Sequence, residues 1–246
     1  MQCDINCDMG EGIGSPACMA QSGRDELIMP YITSANIACG YHAGDEETMR
    51  QTVLLAKKYK VKIGAHPSFN DKENFGRSEI KITPEIVYDM VRQQIIDLQK
   101  ITTDNNTTLH HVKPHGALYN MAARDKQLAT AIARAVYEIN SDLVLYGLSN
   151  SHLITEAKAI GLNTANEVFA DRTYRDDGSL TPRSQPNALI ENINDSLLQV
   201  MMMVKHQKVK TISGKEIPIT AETICIHGDG KNAVEFVKAI NKLFYH

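Results

Sequence analysis

The chain has 246 residues, with 26 Lys+Arg against 29 Asp+Glu for a formal charge of −3, and 43% hydrophobic residues. This near-neutral balance removes the electrostatic basis for a general nucleic-acid or membrane-surface role, and aromatics at 6% with no Trp remove the stacking platforms of a single-strand binder. The longest notable apolar run, 197–204, is far short of the ~20 residues that cross a bilayer; the acidic start, with Asp4, Asp8 and Glu11 where a secretory leader carries basic and then apolar residues, leads us to expect a cytoplasmic protein.

Short apolar or β-branched runs alternate with longer helical patterns, the rhythm of βα units around a parallel sheet. In chain order, strands are predicted at 2–7, 34–39, 62–65, 110–113, 143–148, 163–170 and 222–227. Helices are predicted at 46–59, 84–101, 126–139, 151–160, 188–206 and 232–244, with a less regular segment at 25–31. Asp45 and Thr83 stand where N-caps belong. The segment 208–220 reads as a small peripheral hairpin before the last strand. No linker divides the chain, so residues 1–246 are read as one domain. Seven parallel units can close into a barrel or stay open and doubly wound, and periodicity leaves both open. Cys3, Cys7, Cys18, Cys39 and Cys225 lack CxxC spacing and read as small core residues.

Nearly every strand is followed at once by small and ionisable residues. Asp8, Gly10 and Glu11 follow the first, and Gly40, His42, Gly44 and Asp45 the second. His66 and then Arg77 follow the third; Lys113, His115, Gly116 and Tyr119 the fourth. Asp171, Arg172 and Tyr174 follow the sixth, which also carries Glu167, and His227, Gly228 and Asp229 follow the seventh. The carboxyl ends of parallel strands face a common crevice, so these residues are expected to converge on an active site. Alone, Asp8 to Glu11 is equally a simple turn with a helix-capping acid. Gly40 and Gly44 would let backbone approach a ligand beside His42. Lys113 and His115 flank a proline turn suited to a carboxylate or phosphate. Glu167, Phe169 and Asp171 fall on one side of an extended chain, while an Asp171–Arg172 ion pair is the purely structural alternative. His227 with Asp229 suggests an imidazole oriented by a carboxylate. His152, His206 and His246 read as incidental. The chain lacks the GxGxxG spacing, a GxxxxGK[ST] loop and a GxSxG elbow, which argues against familiar nucleotide loops and serine hydrolysis.

In combination the segments 4–11, 34–45, 63–67 with 75–77, 111–120, 167–183 and 223–229 resemble the LamB/YcsF family, that of the A subunit of 5-oxoprolinase. The resemblance runs in order over nearly the whole chain. The departures are Ser68-Phe69-Asn70 after the Ala-His-Pro motif, Glu46 for a frequent Pro, and Asn187 for a common Gly. It implies a single-domain α/β fold, a (β/α)7-type barrel akin to glycoside hydrolases and polysaccharide deacetylases. It also implies ATP-coupled opening of 5-oxoproline to glutamate together with subunits B and C.

A five-membered lactam resists water because amide resonance blunts its carbonyl, and phosphorylation by ATP would activate it. The residues expected to carry the chemistry are Asp8, Glu11, His42, His66, Lys113, His115 and Asp171. Asp171 or Asp8 would be the base and His42 or His66 the acid/base. Arg77, Arg172, Tyr119, Glu167, His227 and Asp229 are expected around the substrate or phosphate. Two further readings stay open. One is a metal-dependent deacetylase or amidohydrolase with a divalent cation on Asp8, His42 and His66; the other is a non-catalytic subunit that binds a small molecule.

Overall fold

The computed structural model describes residues 3–12, 24–228 and 232–245. Strands β1 (Asp4–Met9), β2 (Ser34–Ala38), β3 (Lys62–His66), β4 (Leu109–Val112), β5 (Val144–Leu148), β6 (Asn163–Phe169) and a last strand, β9 (Thr223–Ile226), are all parallel. They close into a barrel because β9 pairs with both β6 and β1. The choice that periodicity left open is thus settled as a barrel. Strands β7 (Lys208–Lys210) and β8 (Glu216–Pro218) form the separate hairpin expected near 208–220.

Eight helices among the described residues complete the units: α1 (Arg24–Ile28), α2 (Glu46–Tyr59), α3 (Pro84–Asp104), α4 (Gly116–Arg124), α5 (Lys126–Ile139), α6 (His152–Ala159), α7 (Ile193–His206) and α8 (Ala233–Tyr245). None is long and apolar enough to cross a membrane. Asp45 caps α2 as expected, accepting from the Thr48 amide at 2.8 Å, and Glu46 and Glu47 follow in the first turn, where the helix dipole favours acids. Helix α7 starts at Ile193 rather than 188, because the Asn192 side chain caps the amides of Asn194 and Asp195. Helix α4 was not anticipated; its entry, Lys113-Pro-His115-Gly116, reads locally as a turn.

The core is divided by the barrel wall. Ile5, Cys7 and Met9 of β1, with Ala35 and Ile37 of β2, join Val53 and Ala56 of α2 and Val91, Ile95 and Leu98 of α3 in one apolar cluster outside the strands. The alternate residues of the same strands point inward and are polar, which is unusual for a barrel normally filled with branched aliphatics. At the amino end, Asp4 accepts from Ser34 (2.7 Å), Thr223 (2.6 Å) and Tyr146 (3.2 Å). One layer up, Asn36 donates to Asn6 (2.7 Å) and to Asp8 (2.8 Å), and the His111 Nε2 lies 2.8 Å from the Asn36 Oδ1. Every polar group of this column finds a partner across the barrel, which is what makes its burial tolerable.

Gly64 exists for His111. A Cβ at position 64 would lie 2.1 Å from the His111 Nε2, and the β3–β4 register shifts at this point. Gly64→Ala is therefore expected to cost about 1–3 kcal/mol by overpacking, read from urea denaturation. His111→Ala in the same chain should recover part of that loss; no recovery would place the clash elsewhere.

Candidate active site

At the carboxyl ends of the strands lies a cavity of about 1160 Å³, lined among others by Asp8, His66, Arg77, Lys113, His115, Tyr119, Arg172 and His227. Its floor is the top of the polar column. Lys113, at the end of β4, is 2% exposed, and its Nζ lies 2.9 Å from Asp8 Oδ1 on β1 and 2.9 Å from Glu167 Oε1 on β6. Asn6 (3.2 Å) and Cys225 Sγ (3.1 Å) complete its shell. Glu167 in turn accepts from the Tyr119 hydroxyl of α4 at 2.6 Å.

The electrostatics follow from these contacts. Burial alone would depress the Lys113 ammonium, but the carboxylates of Asp8 and Glu167 outweigh it and hold its pKa well above the ordinary value. Burial would raise Asp8, yet the neighbouring His66 and Lys113 hold it well below the usual carboxylate range. Burial, reinforced by Glu167, pushes the Tyr119 phenol up, and burial keeps Cys225 a thiol. The sequence cast Lys113 as a holder of an anionic ligand. In the structure its charge is already met by two carboxylates.

A second group stands beside the floor. Glu11 and His42, on the loops after β1 and β2, meet with Glu11 Oε1 3.0 Å from His42 Nε2. They meet because the loops touch: a Cβ at Gly44 would lie 2.8 Å from the Gly10 carbonyl oxygen, so the close approach that glycine permits is to backbone, not to a ligand. Glu11 thus turns toward His42. His42 stacks on His115 at 3.8 Å between ring centroids, and His66 meets His115 edge-on at 4.8 Å. Burial lowers the pKa of both His42 and His115, and the neighbouring imidazoles lower it further. Single donor atoms of Glu11, His42, His66 and His115 all lie within 4.8 Å of one another, so this buried cluster could hold a metal ion. The set differs from the expected Asp8, His42 and His66: Glu11 and His115 belong to it, whereas Asp8 groups with Cys225 and His227.

Beyond the ends of the neighbouring strands β6 and β9, Asp171 orients His227. Both Asp171 carboxylate oxygens lie 3.0 Å from His227 Nδ1, and Oδ2 also accepts the His227 amide at 3.1 Å. Burial opposes ionisation of Asp171, but His227 outweighs it and lowers its pKa. The His227 ring stacks on Phe169 and lines the cavity, with Asp171 behind it. Asp229, expected as the orienting acid, lies outside the described residues. The structural alternative, an Asp171–Arg172 ion pair, is not what Arg172 makes: it donates to the carbonyls of Thr181 (2.6 Å) and Ala188 (3.3 Å), pinning the loop after β6. Burial and Arg183 push its pKa down to about 10.

Sequence reasoning missed Asn6, Asn36, His111 and Cys225, which hold the floor. The available signal was the alternation in Asp4-x-Asn6-x-Asp8 and Ser34-x-Asn36, which marks one polar face. His111 offers a check. Burial holds its pKa well below that of a free imidazole, so protonation favours the unfolded chain, and its contribution is lost as pH falls from about 6.5 toward the folded value, with a slope of up to ~1.4 kcal/mol per pH unit. The pH-dependence of stability, measured for the wild type minus His111→Gln, should show that slope; parallel curves would contradict it.

Residues 3–245 match the LamB/YcsF family. The A subunit of 5-oxoprolinase from Brevibacillus brevis is 54% identical over 239 residues, covering 97% of this chain and 92% of that protein. Its counterpart of the same name from Bacillus subtilis is 51% identical over 241 residues, covering 98% and 92%. The crystal structure of a lactam utilization protein from Thermus thermophilus superposes with a TM-score of 0.89 at 39% identity, covering 98% of this chain and 95% of that one.

Proposed function

The chain belongs to the LamB/YcsF family, and from that premise we propose that it opens the ring of 5-oxoproline to give glutamate, as one component of an ATP-dependent 5-oxoprolinase working with subunits B and C. The names of its relatives support the substrate. The observation that carries the reading to chemistry is an oriented imidazole, His227 on Asp171, beside a floor of fixed charge in one cavity.

ATP supplies the activation by phosphorylating the lactam oxygen. Water then adds to the ring carbon, the carbon–nitrogen bond breaks, and a second water removes the phosphate from the resulting acyl phosphate. His227 takes the proton of the attacking water and passes it to the departing ring nitrogen, while Asp171 keeps the tautomer and stabilises the imidazolium. Asp8 stays ionised at neutral pH, so it serves as acceptor for the ring N–H and not as an acid. Lys113 holds Asp8 and Glu167 in place. Arg77 and Arg172, on the cavity wall, are suited to the substrate carboxylate or the phosphate.

Lactam activation needs phosphoryl transfer, and none of the familiar nucleotide loops is present in this sequence. Subunits B and C are therefore assigned that step, docked at the carboxyl pole so that the activated ester stays shielded from bulk water. The test is glutamate formation from 5-oxoproline and ATP. Negligible turnover is expected for this chain alone, and full turnover on adding subunits B and C. Full turnover by the isolated chain would overturn the division of labour; none with all three subunits would overturn the function.

A further inference from the structure

The hydrogen-bond partners of the histidine cluster leave a conflict that one ligand resolves. His66 Nδ1 lies 2.7 Å from the Lys113 carbonyl, and His115 Nε2 lies 2.9 Å from the Phe75 carbonyl. A carbonyl oxygen only accepts, so those two nitrogens carry the hydrogens. In neutral rings His66 Nε2 and His115 Nδ1 are then both bare lone pairs, and they face each other at 2.9 Å. Glu11 Oε1 adds a third acceptor 3.6 Å from His115 Nδ1, and Asp8 Oδ2 a fourth 3.4 Å from His66 Nε2. His42 Nδ1 is buried without a hydrogen-bond partner. Acceptors packed against acceptors, away from water, repel unless something positive lies among them.

The surroundings are built for this. For His66 and His115 the distal imidazole N–H is fixed by a backbone carbonyl, the outer-shell contact that orients histidine ligands. Phe75 reaches that position by adopting φ +56°, a left-handed conformation that side chains rarely take, and its ring also packs edge-on against His42 and His115. Strain kept at a carbonyl that aims one imidazole marks a site whose geometry matters.

We propose that Glu11, His42, His66 and His115 form a centre for a single divalent transition-metal ion, of the zinc, cobalt, iron or manganese type. Three imidazoles and one carboxylate favour these ions over magnesium and calcium, which prefer all-oxygen shells. Metal–nitrogen bonds of about 2.0–2.1 Å place tetrahedral donors about 3.4 Å apart, within the span these atoms already cover. His66 and His115 line the cavity whereas Glu11 and His42 are not among its lining residues, so the ion sits in the cavity wall. The inference holds whatever substrate that cleft takes.

The test needs no turnover. Wild-type chain purified without chelator is analysed for metal, then stripped and titrated with Co2+ while its visible ligand-field absorption is followed, with Zn2+ as competitor. Expected are one ion per chain, a low-symmetry Co2+ band displaced by Zn2+, and a rise in melting temperature on Zn2+ addition. His42→Ala should lose affinity about 100-fold or more, and Glu11→Gln, which keeps the shape, covers the case in which His42→Ala does not fold. His110→Ala, at the other pole of the barrel, should bind as the wild type does. Binding no tighter than millimolar, or binding unchanged in folded His42→Ala or Glu11→Gln, would overturn the metal centre and leave a proton shared between His66 and His115 as the filling.

Discussion

Replacing Lys113 with methionine is expected to destabilise the fold by about 3–5 kcal/mol and to abolish turnover. The estimate is the usual cost of removing one partner from a buried ion pair, which strands the other charge; here two carboxylates are stranded, Asp8 at 6% and Glu167 at 0% exposure. The sign of the pH-dependence follows from the two shifts. Lys113 is raised, so its contribution is full below the unfolded lysine value of about 10.4 and lost as pH rises through the folded one. Asp8 is depressed, so its contribution is full above the unfolded aspartate value of about 3.9 and lost as pH falls through the folded one. The wild-type pair is thus intact throughout the neutral range. In the variant the stranded carboxylates take up protons, so its deficit should shrink as pH is lowered from 8 to 5.5, and Glu167→Gln added to Lys113→Met should restore part of the loss. Denaturation of the three chains at both values checks this. A deficit under about 1 kcal/mol would mean that Lys113 is not the counter-ion of this floor.

Asp171→Asn is expected to lower the turnover of the reconstituted complex by about 10²–10⁴-fold with little effect on substrate KM. An asparagine keeps the shape, but its amide can present an N–H to His227 Nδ1. The proton then sits on Nε2, and the ring loses the lone pair that would take a proton from water. Asp171 lies on a loop, and the hydrogen bonds its carboxylate accepts come from His227, so the folded fraction should change little. A fall of less than about tenfold would remove His227 from the role of base.

The barrel was legible because its outward faces obey simple rules. Ile5, Cys7 and Met9 alternate, and α2 carries its cap in Asp45 and its apolar stripe in Met49, Val53 and Ala56. Polar residues after six of the strands marked the carboxyl pole. Closure of the barrel was not legible, because it depends on β9 finding β1 some 220 residues away in sequence, a pairing no local pattern encodes. Partner choice within the site was hidden for the same reason. Asp171 lies next to Arg172 in sequence yet binds His227, and Glu11 meets His42, 31 residues further along the chain. The inner column of Asn6, Asn36 and His111 escaped notice because parallel strands buried on both faces normally read as apolar runs. Helix α4 was hidden by Gly116, whose φ of +54° suits a turn even though the helix begins there.

The most direct measurement compares glutamate formed with ADP formed when this chain, carrying His227→Gln, is reconstituted with subunits B and C and given 5-oxoproline and ATP. If the ring is opened here, phosphoryl transfer continues on the partner subunits while glutamate per ADP falls at least about tenfold, the lower range of a lost general base. If glutamate and ADP still form in the wild-type ratio at the wild-type rate, the ring is opened elsewhere and the cavity at the carboxyl pole is not the hydrolytic site.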